Sequence, residues 1–230
     1  MKIQHCADSH GFFPDLSGDF DCVVHSGDIF PWSNNGRGIN RNRTKKQREI
    51  DHQRYWTSTH AETIKGWVKG KPILYCAGNH DFYNPCELLN KLGVEVIDLT
   101  NRTVEYAGLR WHGFPYVNFL VGEWNWELDP SALYEKTQYT MNKIAGDVDI
   151  LVAHAPIYQT LDLTDDGEYM GNRCFQTIFN SRPTSIDLFL CGHCHESNGF
   201  IKSTMLDLTI SNAALHPRML SNESGSWEEC

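Results

Sequence analysis

Short apolar runs that break abruptly into polar clusters punctuate this chain. Lys2 to Ala7, Asp21 to Ser26, Pro72 to Ala77, Val94 to Leu99, Ile150 to Ala153 and Leu188 to Cys191 each read as a strand. Thr103 to Tyr106 and Leu109 to His112, joined through Ala107-Gly108, read as a hairpin. Phe200 to Met205 and Leu208 to Ser211 are expected to close the sheet. Helical stretches fall between the strands. The longest runs from about Lys45 to Val68, where Tyr55, Trp56, Thr59, Thr63 and Trp67 recur at spacings of three and four. Pro85 to Leu92, stopped by Gly93, Ser131 to Ile144 and a segment around Asn172 to Phe179 supply the others. Asn118 to Asp129 holds Phe119, Trp124 and Trp126 around Gly122 and reads as a packed loop. The end of the chain is rich in Ser, Glu, Gly and Asn. The pattern predicts an α/β fold with one domain over residues 1–220 and a mobile tail over 221–230.

The residues just past the strands are more informative than the strands. Five clusters stand at or just past apolar runs: Asp8-Ser9-His10, Gly27-Asp28, Gly78-Asn79-His80-Asp81, His154, and Gly192-His193-Cys194-His195. They act together only if the fold gathers them at one sheet edge, where α/β folds present their ligands. Asp8 and His10, like His193 and His195, are two apart, so in extended chain both side chains of a pair point to one side. Gly27-Asp28 alone reads equally as a turn. Asp28 nevertheless has two oxygens, which suits it to bridge two cations about 3.5 to 4 Å apart. Asn79 offers a neutral carbonyl oxygen. Cys194 is expected to point away and pack. Two Asp, one Asn and four His supply mixed nitrogen and oxygen donors that favour manganese, with iron, zinc, cobalt, nickel or magnesium as alternatives, over calcium. Against two divalent ions the two carboxylates leave a net charge of about +2, which matches a phosphate oxyanion.

Composition bounds this picture. The 230 residues carry a formal net charge of −9, an unfavourable balance for tight, non-specific binding to a nucleic acid backbone. Eight cysteines are present, but Cys6, Cys22, Cys76 and Cys191 lie within strand-like runs, and the cysteine spacing does not suggest zinc or redox work. A reducing, cytoplasmic setting is expected. Met1 to Cys6 is too short an apolar run for a signal peptide, and no segment reaches the ~18 to 20 apolar residues that span a bilayer. The pattern specifies no oligomeric state.

The ordered blocks DxH, GD, GNH[DE], H and GHxH resemble the calcineurin-like metallophosphoesterase family over about residues 1–215. The resemblance implies a two-sheet β sandwich flanked by helices. It also implies one metal ion among Asp8, His10, Asp28 and His195, and a second among Asp28, Asn79, His154 and His193. His80 matches the family's non-ligand histidine, near the leaving group or the transferring phosphoryl. The chain departs from the Ser/Thr protein phosphatases, whose GDxVDRG is here Gly27-Asp28-Ile29-Phe30-Pro31-Trp32 and whose GNHE ends here in Asp81. The stretch from Gly108 to Pro115, then Asp149 to Pro156 and Gly192 to Glu196, looks like the small metallophosphoesterase-domain proteins related to cyclic-nucleotide phosphodiesterases.

The implied chemistry is hydrolysis of a phosphodiester or phosphomonoester of a small, nucleotide-like substrate by attack of metal-bound hydroxide, with His80 as proton donor or holder of equatorial charge. The run Arg37, Arg41, Arg43, Lys45, Lys46 and Arg48 holds six of the twenty Lys and Arg residues. It reads either as a solvated linker and helix start or as a flank in which Arg41 and Arg43 bind substrate, with Trp32, Trp56 or Trp124 as stacking partners. Two rivals remain open at this level: a nuclease acting on DNA or RNA, and a catalytically silent binding or scaffold protein. Loss of a ligand would mark the second, and none is lost.

Overall fold

The computed structural model describes residues 1–32 and 44–230. Its strands are β1 (Lys2–Cys6), β2 (Cys22–His25), β3 (Ile73–Tyr75), β4 (Val96–Asp98), β5 (Thr103–Tyr106), β6 (Leu109–Phe114), β7 (Val117–Asn118), β8 (Glu127–Leu128), β9 (Ile150–Ala153), β10 (Leu188–Cys191), β11 (Gly199–Ser203), β12 (Leu208–Asn212), β13 (Arg218–Ser221) and β14 (Glu228–Glu229). Its helices are α1 (Lys45–Trp67), α2 (Cys86–Lys91), α3 (Pro130–Ile144) and α4 (Arg173–Ser181).

The strands build two six-stranded sheets, ordered β14-β13-β1-β2-β3-β4 and β11-β12-β10-β9-β6-β5. The two share a parallel core. Strands β1 to β4 are parallel in the first, with β13 antiparallel to β1 and β14 antiparallel to β13 at its β1 side; β12, β10, β9 and β6 are parallel in the second, with antiparallel β11 and β5 at its two edges.

Alternation within the apolar runs explains the layering. Cys22 and Val24, Leu74 and Cys76, Ile150 and Val152, and Leu188 and Leu190 all enter one cluster between the sheets. Their sequence neighbours face the helices: Val23, Ile73 and Tyr75 pack with Trp56, Ala61 and Ile64 of α1 and Leu89 of α2. Leu151, Ala153, Phe189 and Cys191 pack with Leu133, Met141 and Ile144 of α3 and Phe175 and Ile178 of α4. Strands β3, β9 and β10, buried on both faces, are apolar at every position, which is why they read as unbroken runs, whereas β1 and β2 also bury Gln4, His5 and His25. The architecture is α/β/β/α, the two-sheet sandwich expected.

Three local readings are corrected. The buried stripe of α1 is Gln53, Trp56, Thr57, Ala61 and Ile64, whereas Tyr55, Thr59 and Thr63 face solvent. The stripe runs at helical spacing through Gln53, the Trp56 ring, Ala61 and Ile64 and leaves the ring of Tyr55 on the opposite face. The loop 118–129 is not wholly irregular, because β7 and β8 pair in parallel across it. Finally, β11 and β12 do not end the chain's pairing: β13 returns to lie antiparallel to β1, and β14 pairs with β13. The segment 221–230, expected as a tail, therefore carries a strand, and Trp227 within it is buried among the residues between the sheets.

Candidate metal centre

All five clusters lie at carboxyl ends of parallel strands. Asp8 and His10 follow β1, Asp28 follows β2 and Asn79 follows β3 in the first sheet; His154 follows β9, and His193 and His195 follow β10, in the second. The chain turns sharply at these ends. Asp8, His10, Asp28 and His193 sit at φ of 53°, 43°, 59° and 69°, a region that non-glycine residues enter at a cost of roughly 1–2 kcal/mol each. Hydrogen bonds between the loops hold the strain: Asp8 N–H donates to Gly27 O (2.9 Å) and His10 N–H to Asp28 O (3.0 Å). Glycine is required where loops touch. A Cβ on Gly78 would run into Asp28 Oδ1, and one on Gly192 into Asp8 Oδ2.

Two groups of donors result, Asp8 with His10 and His195, and Asp8 with Asp28 and His154, each with ligand atoms within 4.8 Å of one another. His154 is oriented by its Nδ1–H, which donates to Ser26 O at 2.8 Å. Its Nε2 thereby faces Asn79 Oδ1 at 2.9 Å and Asp28 Oδ2 at 3.4 Å. On the other side His195 Nε2 stands 3.4 Å from Asp8 Oδ1, while Asp8 Oδ2 accepts the His193 N–H at 2.8 Å. The His193 ring packs edge-on to His154, centroids 5.0 Å apart.

Asp8 and Asp28 are almost wholly buried, and the cationic partners that reach them are histidines. Burial works to raise the Asp28 carboxyl, but His154, through its charge and hydrogen bond, with His80 and His10 beyond it, holds it well below the ordinary carboxylate range. Burial likewise opposes charge on His154, yet Asp28 and then Asp8 lift it to about 9. Two buried carboxylates thus make a strongly cation-attracting pocket. Among the described residues, Asp8 Oδ1, which has only the 3.4 Å ion-pair contact to His195, both ring nitrogens of His10 and His193 Nε2 are buried without a hydrogen-bond partner, a costly arrangement that one ligating atom on each residue would relieve. The donor set fits divalent cations bound through nitrogen and oxygen.

Sequence reading missed much of the scaffold beneath. The Asp81 carboxylate does not point at these donors. It accepts the N–H groups of Asp28 (2.8 Å), Ile29 (3.1 Å) and Gly78 (2.8 Å) and the Tyr75 hydroxyl (2.9 Å), stapling the loops after β2 and β3. Burial and the Asp28 charge push it up to about 7. Gln53 of α1 clamps the same loop: its amide donates to His80 O at 2.7 Å, and its carbonyl accepts from Phe82 N–H (2.8 Å) and Tyr83 N–H (2.9 Å). Its place three residues before Trp56 on the helix was the available signal.

Deeper still lie two buried histidines. Gly27 N–H donates to His25 Nδ1 (3.3 Å), which leaves His25 Nε2–H to donate to Ser9 Oγ (3.0 Å). His5 bonds Ser211 Oγ (2.8 Å) and Ser26 Oγ (3.0 Å), tying the two sheets. Burial first, with His25 next, lowers His5 to about 3; burial lowers His25 to about 4. Both stay neutral in the fold and titrate near 6.5 when unfolded. Between pH 6.5 and about 4 the unfolded chain therefore binds more protons, and stability falls as pH falls, by about 1.4 kcal/mol per pH unit for each histidine. Urea unfolding of chelator-treated protein is expected to lose about 3 kcal/mol from this pair between pH 6.5 and 5. The double variant His5→Gln, His25→Gln should flatten the slope in that window; an unaltered slope refutes the assignment.

His80 lies at the rim with its Nε2 3.9 Å from Asp28 Oδ2, and its ring is 5.2 Å from that of His10. Burial lowers its pKa, against the pull of Asp28. Trp32 and Trp124 flank it. Trp56 does not reach the site: it is buried, stacked on Phe13 and His60. Cys194 is fully buried beside Leu163, as a packing residue. Arg41 and Arg43, with Arg37, lie outside the described residues. No helix among the described residues is long and apolar enough to cross a membrane.

No curated protein sequence matches the chain. Among solved structures, one crystal structure superposes with a TM-score of 0.69 at 13% identity, covering 100% of this chain and 98% of that one, a likeness of fold. A structure described as a novel archaeal phosphodiesterase also has 13% identity, with a TM-score of 0.45 over 100% of this chain and 99% of that one. The family model for calcineurin-like phosphoesterase matches residues 1–197; with most of its length so matched and two donor clusters at the strand ends, the chain belongs to this family of metal-dependent phosphoesterases.

Proposed function

We propose that the protein hydrolyses a phosphodiester or phosphomonoester of a small, nucleotide-like substrate with two divalent cations, manganese foremost. Asp8, His10, Asp28 and His195 would hold one, and Asp28, Asn79, His154 and His193 the other. The observation that carries this reading is the set of buried donor atoms without hydrogen-bond partners on Asp8, His10 and His193, together with the two donor groups that meet at Asp8 and include Asp28, His154 and His195. Such a pair, when bound, acidifies water and draws charge from phosphoryl oxygens.

The chain's own residues do the rest. Ser26 O fixes the His154 tautomer so that Nε2 faces the rim, the kind of outer support that orients metal ligands. The backbone N–H of His80 donates to Asp28 Oδ1 at 2.7 Å, which fixes that carboxylate and sets the imidazole beside it. His80 is read as proton donor to the leaving oxygen. The net charge of −9 favours a small ester over a nucleic acid polymer. Seven of the eight cysteines are buried free thiols, which suits a reducing, cytoplasmic setting.

The test is turnover by metal-reconstituted protein on bis-p-nitrophenyl phosphate, p-nitrophenyl phosphate, 2′,3′- and 3′,5′-cyclic nucleotides and single-stranded DNA. Hydrolysis of small esters that depends on added metal, with two ions per chain, is expected. Preferential cleavage of DNA would establish the nuclease reading instead, and no turnover with both ions bound would leave the silent scaffold.

A further inference from the structure

Beside the donor clusters a cavity of about 300 Å³ opens past His80, lined by Trp32, Trp124, Phe30, Phe82 and Lys45. That volume is at the lower end of small-molecule sites, about 300–1,000 Å³. Its walls are mostly rings. Trp32 lies 4.6 Å from His80 and Trp124 lies 4.0 Å from it, centroid to centroid, while the two indoles meet edge to face at 6.0 Å and 75°. The three rings therefore form a corner, not a closed stack. Trp32 is 58% exposed, a large apolar surface left to water at the mouth of a charged site.

The polar features of the cleft are equally local. Lys45 Nζ sits 4.1 Å over the Trp124 ring and pairs with Glu123 Oε2 at 2.7 Å. Lys45 and Gln53, eight residues apart on α1, both border the cleft, so one face of the helix forms its side. The Glu49 carboxylate borders the cleft as well, and the Gln53 amide is already committed to the loop holding His80, so Lys45, held by Glu123, is the cation at the mouth.

We infer that this cleft is the subsite for a planar aromatic ring carried on the ester, a nucleobase in the first instance, stacked on the exposed face of Trp32 with an acceptor edge toward Lys45. The inference rests on the phosphoesterase reading, because His80 is the wall shared by the cleft and the phosphate site. An alkyl chain would fill the volume but add no acceptor for Lys45 beyond the Glu123 carboxylate it already holds. A ring with oxygen or nitrogen on its edge meets both the aromatic walls and the ammonium.

The test is calorimetric binding of adenosine 5′-monophosphate and ribose 5-phosphate to the manganese-treated protein, with Trp32→Ala and Trp32→Phe variants and metal content measured alongside. The wild type should bind the nucleotide about tenfold or more tighter than the sugar phosphate. Trp32→Ala should bring the nucleotide down to the level of the sugar phosphate, and Trp32→Phe should restore part of the preference. Equal binding of the two probes by the wild type, or equal weakening of both in Trp32→Ala, overturns the subsite. The two readings fail separately. A protein that takes up two ions and cleaves bis-p-nitrophenyl phosphate, yet shows no preference for the nucleotide, loses the subsite alone. One that neither takes up metal nor cleaves the diester loses the phosphoesterase reading, while a preference abolished in Trp32→Ala would still sustain the cleft as a ring-binding site.

Discussion

Replacing Asp28 by Asn is expected to cut bound metal from two ions per chain to at most one and to lower ester hydrolysis on the order of 10³-fold or more. Asn keeps the shape and the carbonyl oxygen that can accept the His80 N–H, now bonded to Asp28 Oδ1 at 2.7 Å, so the loop retains its anchor. It removes the charge that raises His154 and the second anionic oxygen that two cations would share. Water ionises near pH 7 on a catalytic metal and near 15.7 free, so losing an ion removes most of the available nucleophile at neutral pH. Metal analysis of the purified variant and turnover of bis-p-nitrophenyl phosphate give the two readouts. Full retention of both ions with near wild-type turnover would take Asp28 out of the shared position.

The second large effect belongs to His80. A positioned acid contributes about 10²- to 10⁴-fold, and the benefit is greatest when the departing oxygen is basic. His80→Ala should therefore cost on the order of 10²-fold or more with nucleoside or alkyl esters and much less with p-nitrophenyl esters. The pH dependence has a fixed sign. Burial holds the His80 pKa below 6.5, so its protonated form is depleted as pH rises through that lowered value. Wild-type turnover of poor-leaving-group esters should carry a descending limb that begins below pH 6.5 and vanishes in the variant. An equal loss across leaving groups would refute proton donation and leave His80 as a holder of phosphoryl charge.

These expectations stand on residues that differ greatly in how visible they are in the chain. Asp8, His10, Asp28, Asn79, His154, His193 and His195 stand out because each comes after an apolar run and most stand next to a glycine that permits close approach. Composition and order within short segments suffice to find them. Gln53 and Asp81 are different: their importance lies in backbone groups of other segments, and the place of Gln53 three residues before Trp56 marks it as buried but does not say what its amide clamps. His5 and His25 look like ordinary strand residues until Ser211, Ser26 and Ser9 are brought beside them.

By itself the sequence determined the α/β class, the strand-end clusters and the chemistry they favour, because strand periodicity, turn glycines and donor types are properties of short segments. The resemblance already implied two sheets, but tertiary structure alone decided which strands enter each, that β13 returns across more than two hundred residues to β1, and that Trp32 and Trp124, not Trp56, border the site. Strands buried on both faces have the same apolar composition whichever sheet receives them. Their partners are chosen by the joint burial of distant surfaces, a quantity that exists only once the chain has folded.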